Sequence, residues 1–317
     1  MIKILDLQSE KEYFLSPDDR LSCAIGNFDG VHKGHQKLLS LAAEKREEIT
    51  KSAIFTFSIP ASHIKNGSSL LMLPKERYPL FRKLGIDLLI LADFDEISSI
   101  SPSNFAEDLL FRRCQVRRAV CGFNFRYGKD ARGNTESLKK SFEALGGTIA
   151  VCPPYRFREQ TVSSSEIREA LAVGNPERAL AMMGRPYSLT AEVVHGKRLG
   201  RTLGFPTANQ KFQKGRTIPK FGVYAVRVRI DGNVYCGVAN VGVRPTVENT
   251  VSANCETFVF DYHGDLYGKT ITTEFYGFLR PERHFSDVQT LKSAVELDMQ
   301  SAALYFQAEK EHTLYET

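Results

Sequence analysis

Residues 1–183 alternate short β-like runs with helix-like segments, and this order changes abruptly at residues 184–187, "GRPY". The runs are "SCAIGN", "SAIFTF", "DLLILA", "RAVCG" and "TIAVC", and the segments between them include 35–49 and 103–113. A parallel neighbour can be reached only by a crossover long enough to hold a helix, so this order predicts βαβ units around a parallel sheet. Beyond residue 184 strands follow one another directly. In "GVYAVRVRIDGNVYCGVANVG" the apolar Val226, Val228 and Ile230 alternate with Arg227 and Arg229, and Asp231-Gly232 supplies a hairpin turn. Successive strands without helices between them predict a small antiparallel barrel, followed by a final helix over 286–308. The expectation is an α/β domain with a parallel sheet over 1–184 and a small antiparallel β-barrel domain with a terminal helix over 185–317.

At 317 residues the chain exceeds what one hydrophobic core usually serves, which agrees with two domains. No stretch approaches the about 18–20 apolar residues of a membrane helix, and the opening "MIKILDLQSEKEYF" lacks a basic segment followed by a sustained apolar one. A cytoplasmic location with no membrane partner is expected. Cys23, Cys114, Cys121, Cys152, Cys236 and Cys255 are scattered with no C-x-x-C pair, which predicts buried free thiols. The net charge of +5 is spread along the chain and suits solubility or a polyphosphate ligand. Basic and aromatic residues are not interleaved along one strand face as a base-stacking platform requires, so no nucleic-acid partner is expected.

Chemistry concentrates first in "GNFDGVHKGHQKLL", residues 26–39, which follows the strand-like "SCAI" and precedes a helix-like run. Such a strand-to-helix turn presents backbone N–H groups to an anion, Gly26, Gly30 and Gly34 permit close approach, and His32 and His35 share one side of the incoming turn. The string is neither G-x-G-x-x-G nor a Walker A loop. Bare H-x-x-H spacing fits an ordinary glycine-rich connection equally well. As a whole, "GNFDGVHKGH" resembles the H-x-G-H signature of the nucleotidylyltransferase superfamily in its prokaryotic FAD synthetase form. That resemblance implies a Rossmann-like nucleotidylyltransferase domain, with Gly26, Phe28, Asp29 and Gly34 binding nucleotide or flavin and His32 and His35 stabilising the transition state.

It also implies a serine-rich helix start, and "SSSEIREAL" at 163–171 is similar to it: Ser164 and Ser165 would cap the helix and meet phosphate oxygens, and Arg168 would stabilise departing pyrophosphate. An ordinary capping box has the same letters. "CGFNFRYGKDARGN" resembles the family's G-x-[DN]-F-x-[FY]-G segment, making Asn124 a nucleotide or flavin contact, while Phe123, Phe125 and Tyr127 equally suit a packed core. One departure stands out. Where the family carries T-F-D-P-H-P, this chain reads "TFSIPAS", with Ser58 in place of the acid and His63 the nearest imidazole.

The second concentration is "HGKRLGRTLGFPTANQ", 195–210, in which Gly196, Gly200 and Gly204 interleave with Lys197, Arg198 and Arg201 as a basic loop able to wrap a triphosphate. "GFPTAN" resembles the riboflavin kinase signature. By that resemblance Pro206 belongs to the nucleotide site, Thr207 and Asn209 hold Mg²⁺ through neutral oxygens, and Glu256 in "NCETFVFDYHGDLYGK" is the base for the ribityl hydroxyl. As a lone acid among apolar neighbours Glu256 also suits a solvent-facing strand position. "GDLYGKT" imitates a P-loop but is one residue short between its glycines and joins two strand-like runs, so Lys269 is read as outside any phosphate site. "LRPERHF" is similar to the family's R-x-E-x-x-F segment, placing Arg280 against the flavin.

The two motif sets together resemble the bifunctional riboflavin kinase and FAD synthetase family. They imply ATP-dependent phosphorylation of riboflavin to FMN, then adenylylation of FMN to FAD with release of pyrophosphate, with ATP as co-substrate, Mg²⁺ as cofactor, and a monomer or weak homo-oligomer. Two alternatives remain: a riboflavin kinase whose adenylyltransferase half is weakened at Ser58, and a basic nucleic-acid-binding module.

Overall fold

The computed structural model describes residues 2–8, 15–60, 63, 66–196, 205–244, 252–285 and 287–315. Two units divide the chain, Met1–Ser164 and Ser165–Thr317. In the first, six strands form one sheet: β1 (Lys3–Asp6), β2 (Leu21–Ile25), β3 (Lys51–Phe57), β4 (Leu88–Ala92), β5 (Val116–Gly122) and β6 (Thr148–Cys152). Their order is β1-β4-β3-β2-β5-β6, and every pairing is parallel. The central strands β2, β3 and β4 are buried along nearly their whole length because both faces are covered, as a parallel sheet with crossover helices demands. Cys23, Ile25, Phe55 and Ile90 point to one face, with Phe105, Leu110 and Phe142; Ala24, Ile54, Leu89 and Val120 point to the other, with Leu39 and Phe81.

Strand order reverses at β2, since β3 and β4 extend to one side of it and β5 and β6 to the other. The carboxyl ends of β2 and β5 therefore flank the crevice where open α/β sheets place ligands. Helix α1 (Lys33–Ala42) follows β2 and buries Leu38, Leu39 and Ala42. It stops well short of residue 49. After Ala42 the segment 44–48, "EKREE", is wholly exposed, and without an apolar face to bury, extra turns have nothing to stabilise them. Helix α2 (Pro74–Lys83) buries Phe81 and Arg77. The helix expected at 103–113 is present as Asn104–Arg113, wound in π fashion, with the Cys114 N–H on the Leu109 carbonyl. Helix α3 (Thr135–Ala144) follows.

In the second unit, β7 (Tyr187–Glu192), β8 (Thr207–Lys211), β9 (Gly222–Ile230), β10 (Asn233–Arg244), β11 (Ser252–Val259) and β12 (Thr270–Pro281) form an antiparallel sheet in the order β7-β12-β9-β10-β11-β8. The β9–β10 hairpin turns at Asp231-Gly232, as its sequence predicts. The end strands meet and close the sheet: the Val194 N–H donates to Asn209 O at 2.8 Å, and the fully buried Gln210 amide donates to Ala191 O (3.0 Å) and Ile271 O (2.9 Å) while accepting from the Thr273 hydroxyl (2.7 Å).

The unit begins earlier than the composition change near residue 185. Helices α4 (Ser164–Ala172) and α5 (Pro176–Met183) belong almost entirely to it, because they pack on the barrel: the Lys220 N–H donates to Leu171 O at 2.9 Å, Gly174 lies against Lys220 and Phe278, and Leu180 joins the barrel's apolar cluster. The terminal helix α6 (Val288–Tyr315) sets Ala302 and Phe306 against Val223, Ala225, Val238 and Tyr276. All six cysteines are free and five are buried; burial pushes the Cys114, Cys121 and Cys255 thiols up to about 12, which suppresses thiolate chemistry.

Candidate active sites

The first candidate site sits where β2 ends. From Gly26 the chain turns through Phe28 (φ 52°) and Val31 (φ 39°), left-handed conformations that L-residues with bulky side chains adopt only under constraint. Three side chains supply the constraint. Asp29, 2% exposed, accepts from the Leu71 N–H (3.1 and 3.2 Å) and the Met72 N–H (3.3 Å). Ser164 donates its hydroxyl to Asp29 O at 2.9 Å. Arg77, fully buried, reaches Asn27 O (2.7 Å) and Phe57 O (3.3 Å), and burial holds its guanidinium below the ordinary arginine value, against the pull of Asp29. Phe28, fully buried, packs edge-on to His35 and Phe81.

That turn delivers His32 as the N-cap of α1: its Nδ1 accepts from the His35 N–H at 3.2 Å. A ring nitrogen that accepts carries no proton, so in the neutral ring the proton lies on Nε2. The His32 and His35 rings stack at 3.6 Å with 18° between planes. Gly34 lies 3.2 Å, at its would-be Cβ, from the His32 ring, so a larger residue there would press on the imidazole. The first turn of α1 holds no acid, leaving its dipole uncompensated for an anion.

The other residues expected at this site differ in their surroundings. Asn124 is exposed just past the carboxyl end of β5. Of its neighbours, Phe125 and Tyr127 stack in the core while Phe123 is 47% exposed. Ser164 and Ser165 are the first residues of α4, and the Ser164 hydroxyl is committed to Asp29 O. Arg168 lies a turn further along that helix. Ser58 is exposed beyond β3, and His63 Nδ1 bonds to Ser68 O at 2.7 Å.

The second candidate site is on one face of the barrel. Asn209 pairs in register with Glu256, which pairs on its other side with Asn240. Alternation puts Thr207 and Asn209 on that face with Asn254 and Glu256. Asn209 and Asn254 are buried, 4% and 5% exposed, and Glu256 is exposed. The Asn254 amide donates to Asn209 Oδ1 (3.2 Å) and to Glu256 Oε1 (3.0 Å), and the Asn209 amide points toward Thr207 O and Oγ1 (3.4 and 3.5 Å). Gly196 is packed against Asn209 so closely that a Cβ would stand 2.5 Å from Nδ2. Pro206 is exposed at the entry to β8.

Lys197, Arg198, Arg201 and Gly204 lie outside the described residues. Lys269, at the end of the loop joining β11 and β12, pairs with Asp231 at 2.7 Å. Arg280 forms a two-pronged ion pair with Asp298 of α6, both bonds 2.7 Å. Its guanidinium anchors the terminal helix. Among the described residues no group of three or more His, Cys, Asp or Glu could hold a metal ion. The oxygens of Thr207 and Asn209 are the hard, neutral donors that suit a magnesium ion keeping several waters.

The family model for FAD synthetase matches residues 16–166, and that for riboflavin kinase matches residues 183–306. The bifunctional riboflavin kinase/FMN adenylyltransferase of Bacillus subtilis is 35% identical over 291 residues, 89% of this chain and 92% of that protein. The chain belongs to the bifunctional riboflavin kinase/FMN adenylyltransferase family.

The Escherichia coli K12 member is 31% identical over 297 residues, 92% of this chain and 94% of its own. A crystal structure from Streptococcus pneumoniae, described as a macrolide-efflux protein, superposes with a TM-score of 0.82 at 29% identity over 94% of this chain and 97% of that one. Among the described residues no helix is long and apolar enough to cross a membrane. Each family model covers one candidate site. Sequence reasoning missed Arg77 and Asn254. Arg77 lies fifty positions from the carbonyl it holds, and only the β8–β11 register reveals what Asn254 touches.

Proposed function

We propose that this chain makes FMN from riboflavin and FAD from FMN, each at the expense of one ATP, with residues 185–317 performing the first step and residues 1–184 the second. In the first step the terminal ribityl oxygen bonds to the γ-phosphorus of ATP, the bond from that phosphorus to ADP breaks, and Glu256 takes the hydroxyl proton. Thr207 and Asn209 would hold Mg²⁺, which when bound neutralises charge on the phosphate oxygens. Asn209, pinned between Gly196 and Asn254, keeps one lone pair of Oδ1 for that task. The basic loop of Lys197, Arg198 and Arg201 wraps the triphosphate, with Pro206 at its base, and Arg280 flanks the flavin as the anchor of α6.

In the second step an FMN phosphate oxygen bonds to the α-phosphorus of another ATP, and pyrophosphate leaves. The backbone of Gly26–Asp29 and Gly34 lines the phosphates, and His32 Nε2–H and His35 donate to charge that grows in the transition state. Ser165 and Arg168 serve the departing pyrophosphate, and Asn124 meets the nucleotide or flavin. No covalent intermediate is needed. The protein works in the cytoplasm on small molecules, as a monomer or weak homo-oligomer, with no nucleic-acid partner.

The observation that carries the reading is the in-register pairing of Asn209 with Glu256, which puts a neutral amide oxygen suited to a metal beside a carboxylate in the half that matches riboflavin kinase. Ser58 favours one other reading, a kinase with a weakened adenylyltransferase half. Incubation with FMN, ATP and Mg²⁺ separates them: FAD and pyrophosphate support two activities, and their absence leaves the kinase alone.

A further inference from the structure

Asn254 is 5% exposed, its amide nitrogen bonds to two partners, and its carbonyl oxygen Oδ1 is buried with no hydrogen-bond partner among the described residues. The orientation is fixed by chemistry. Glu256 Oε1 is only an acceptor when ionised, and Asn209 presents Oδ1 because its own amide nitrogen is turned toward Thr207, so the reverse orientation would set oxygen against oxygen twice. A buried carbonyl oxygen left without a donor costs about 1–3 kcal/mol. Such a cost is relieved if a donor arrives with a ligand.

We propose that Asn254 is a positioning residue of the phosphoryl-transfer site. It locks Asn209 and Glu256 in register through its two N–H groups and receives at Oδ1 an O–H donor brought in by the reactants, either a metal-bound water or a ribityl hydroxyl. This inference rests on the kinase reading above. It makes the polar face a three-residue unit in which the metal ligand and the base cannot move independently. Glu256 faces Asn209 on β8 and Asn240 on β10, neither titratable; beyond these are the Cys255 thiol next in sequence and Glu282, which Asn240 reaches at 3.4 Å.

The test uses the full chain with Asn254→Ala and Asn254→Asp. For Asn254→Ala the rate of FMN formation should fall about 10- to 100-fold, while FAD formation from supplied FMN is retained. Calorimetry with Mg·ADP and fluorescence titration with riboflavin then identify the donor: weakened Mg·ADP binding marks a metal-bound water, and weakened riboflavin binding marks a ribityl hydroxyl. Asn254→Asp keeps the shape and an acceptor oxygen but loses the N–H groups that hold Asn209 Oδ1 and Glu256 Oε1, so FMN formation should fall about 10- to 100-fold there too. Wild-type FMN rates and affinities in Asn254→Ala would overturn the proposal, as would a wild-type FMN rate in Asn254→Asp, which also decides the matter if the alanine variant fails to fold. Absence of FMN formation by the unaltered protein would instead remove the kinase reading itself.

Discussion

The two candidate sites are built differently, one mainly from main chain and the other from side chains. At the carboxyl end of β2 the working parts are a left-handed turn and the first turn of a helix, and the buried polar side chains Asp29 and Arg77 are spent holding backbone groups in place. On the barrel face the backbone is ordinary antiparallel sheet, and three amide- or carboxyl-bearing side chains make the site. The difference predicts how each fails. Damage to the first site should reach the fold, because the groups that bind also shape the turn; damage to the second should leave the sheet standing, because its ladder does not depend on those side chains.

The largest effect tests the barrel side of this contrast. Glu256→Ala should lower FMN formation by about 10²–10⁴-fold, with the melting temperature nearly unchanged and FAD still formed from supplied FMN. His32→Ala tests the other side and should let FMN accumulate, with FAD formation falling about 10²–10³-fold. Because His32 also caps α1, stability should fall by about 1 kcal/mol. His32→Asn restores an oxygen cap, so recovery of melting temperature without recovery of rate would separate the two duties; if both return together, the imidazole is structural only.

Gly196→Ala comes next. Its Cβ would displace the buried Asn209 amide, so Mg·ADP affinity should weaken roughly tenfold. An unchanged affinity would show that Asn209 is not a metal ligand.

The smallest effect concerns scaffold remote from either turn or face. Asp19 is 5% exposed; burial alone would raise its pKa, but the Lys51 ammonium at 2.5 and 2.7 Å, the Ser16 N–H and the Thr50 hydroxyl outweigh that and lower it. A carboxyl lowered on folding contributes stability that is fully present above its unfolded value of about 4 and is lost as pH falls through its folded value. Asp19→Asn should therefore cost about 2 kcal/mol at neutral pH. The cost should fade in acid below pH 4, measured by denaturant unfolding, and both activities should persist.

The first site was legible because its strand, turn and helix are consecutive in residues 21–42, where local rules suffice. Its supports were not: nothing about Arg77 in a charged, proline-containing helix announces a buried guanidinium that holds Asn27. The barrel was legible from alternation in Val226–Ile230 and the turn at Asp231-Gly232, and Glu256 from its motif. Its contacts required the register of strands about forty-five residues apart. The compact units divide at Ser164, ahead of the composition change, for a related reason. Composition changes near residue 185, but α4 and α5 settle on the barrel through Leu171, Gly174 and Leu180, contacts that periodicity does not reveal.

The most direct test of two ATP-using sites on one chain follows the phosphorus atoms. The protein is given riboflavin, Mg²⁺ and ATP labelled at either the α- or the γ-phosphate, and the flavins are separated. FMN carrying only the γ-label, and FAD carrying one phosphorus from each position, is the predicted result. FMN accumulating without any α-label entering flavin would contradict it.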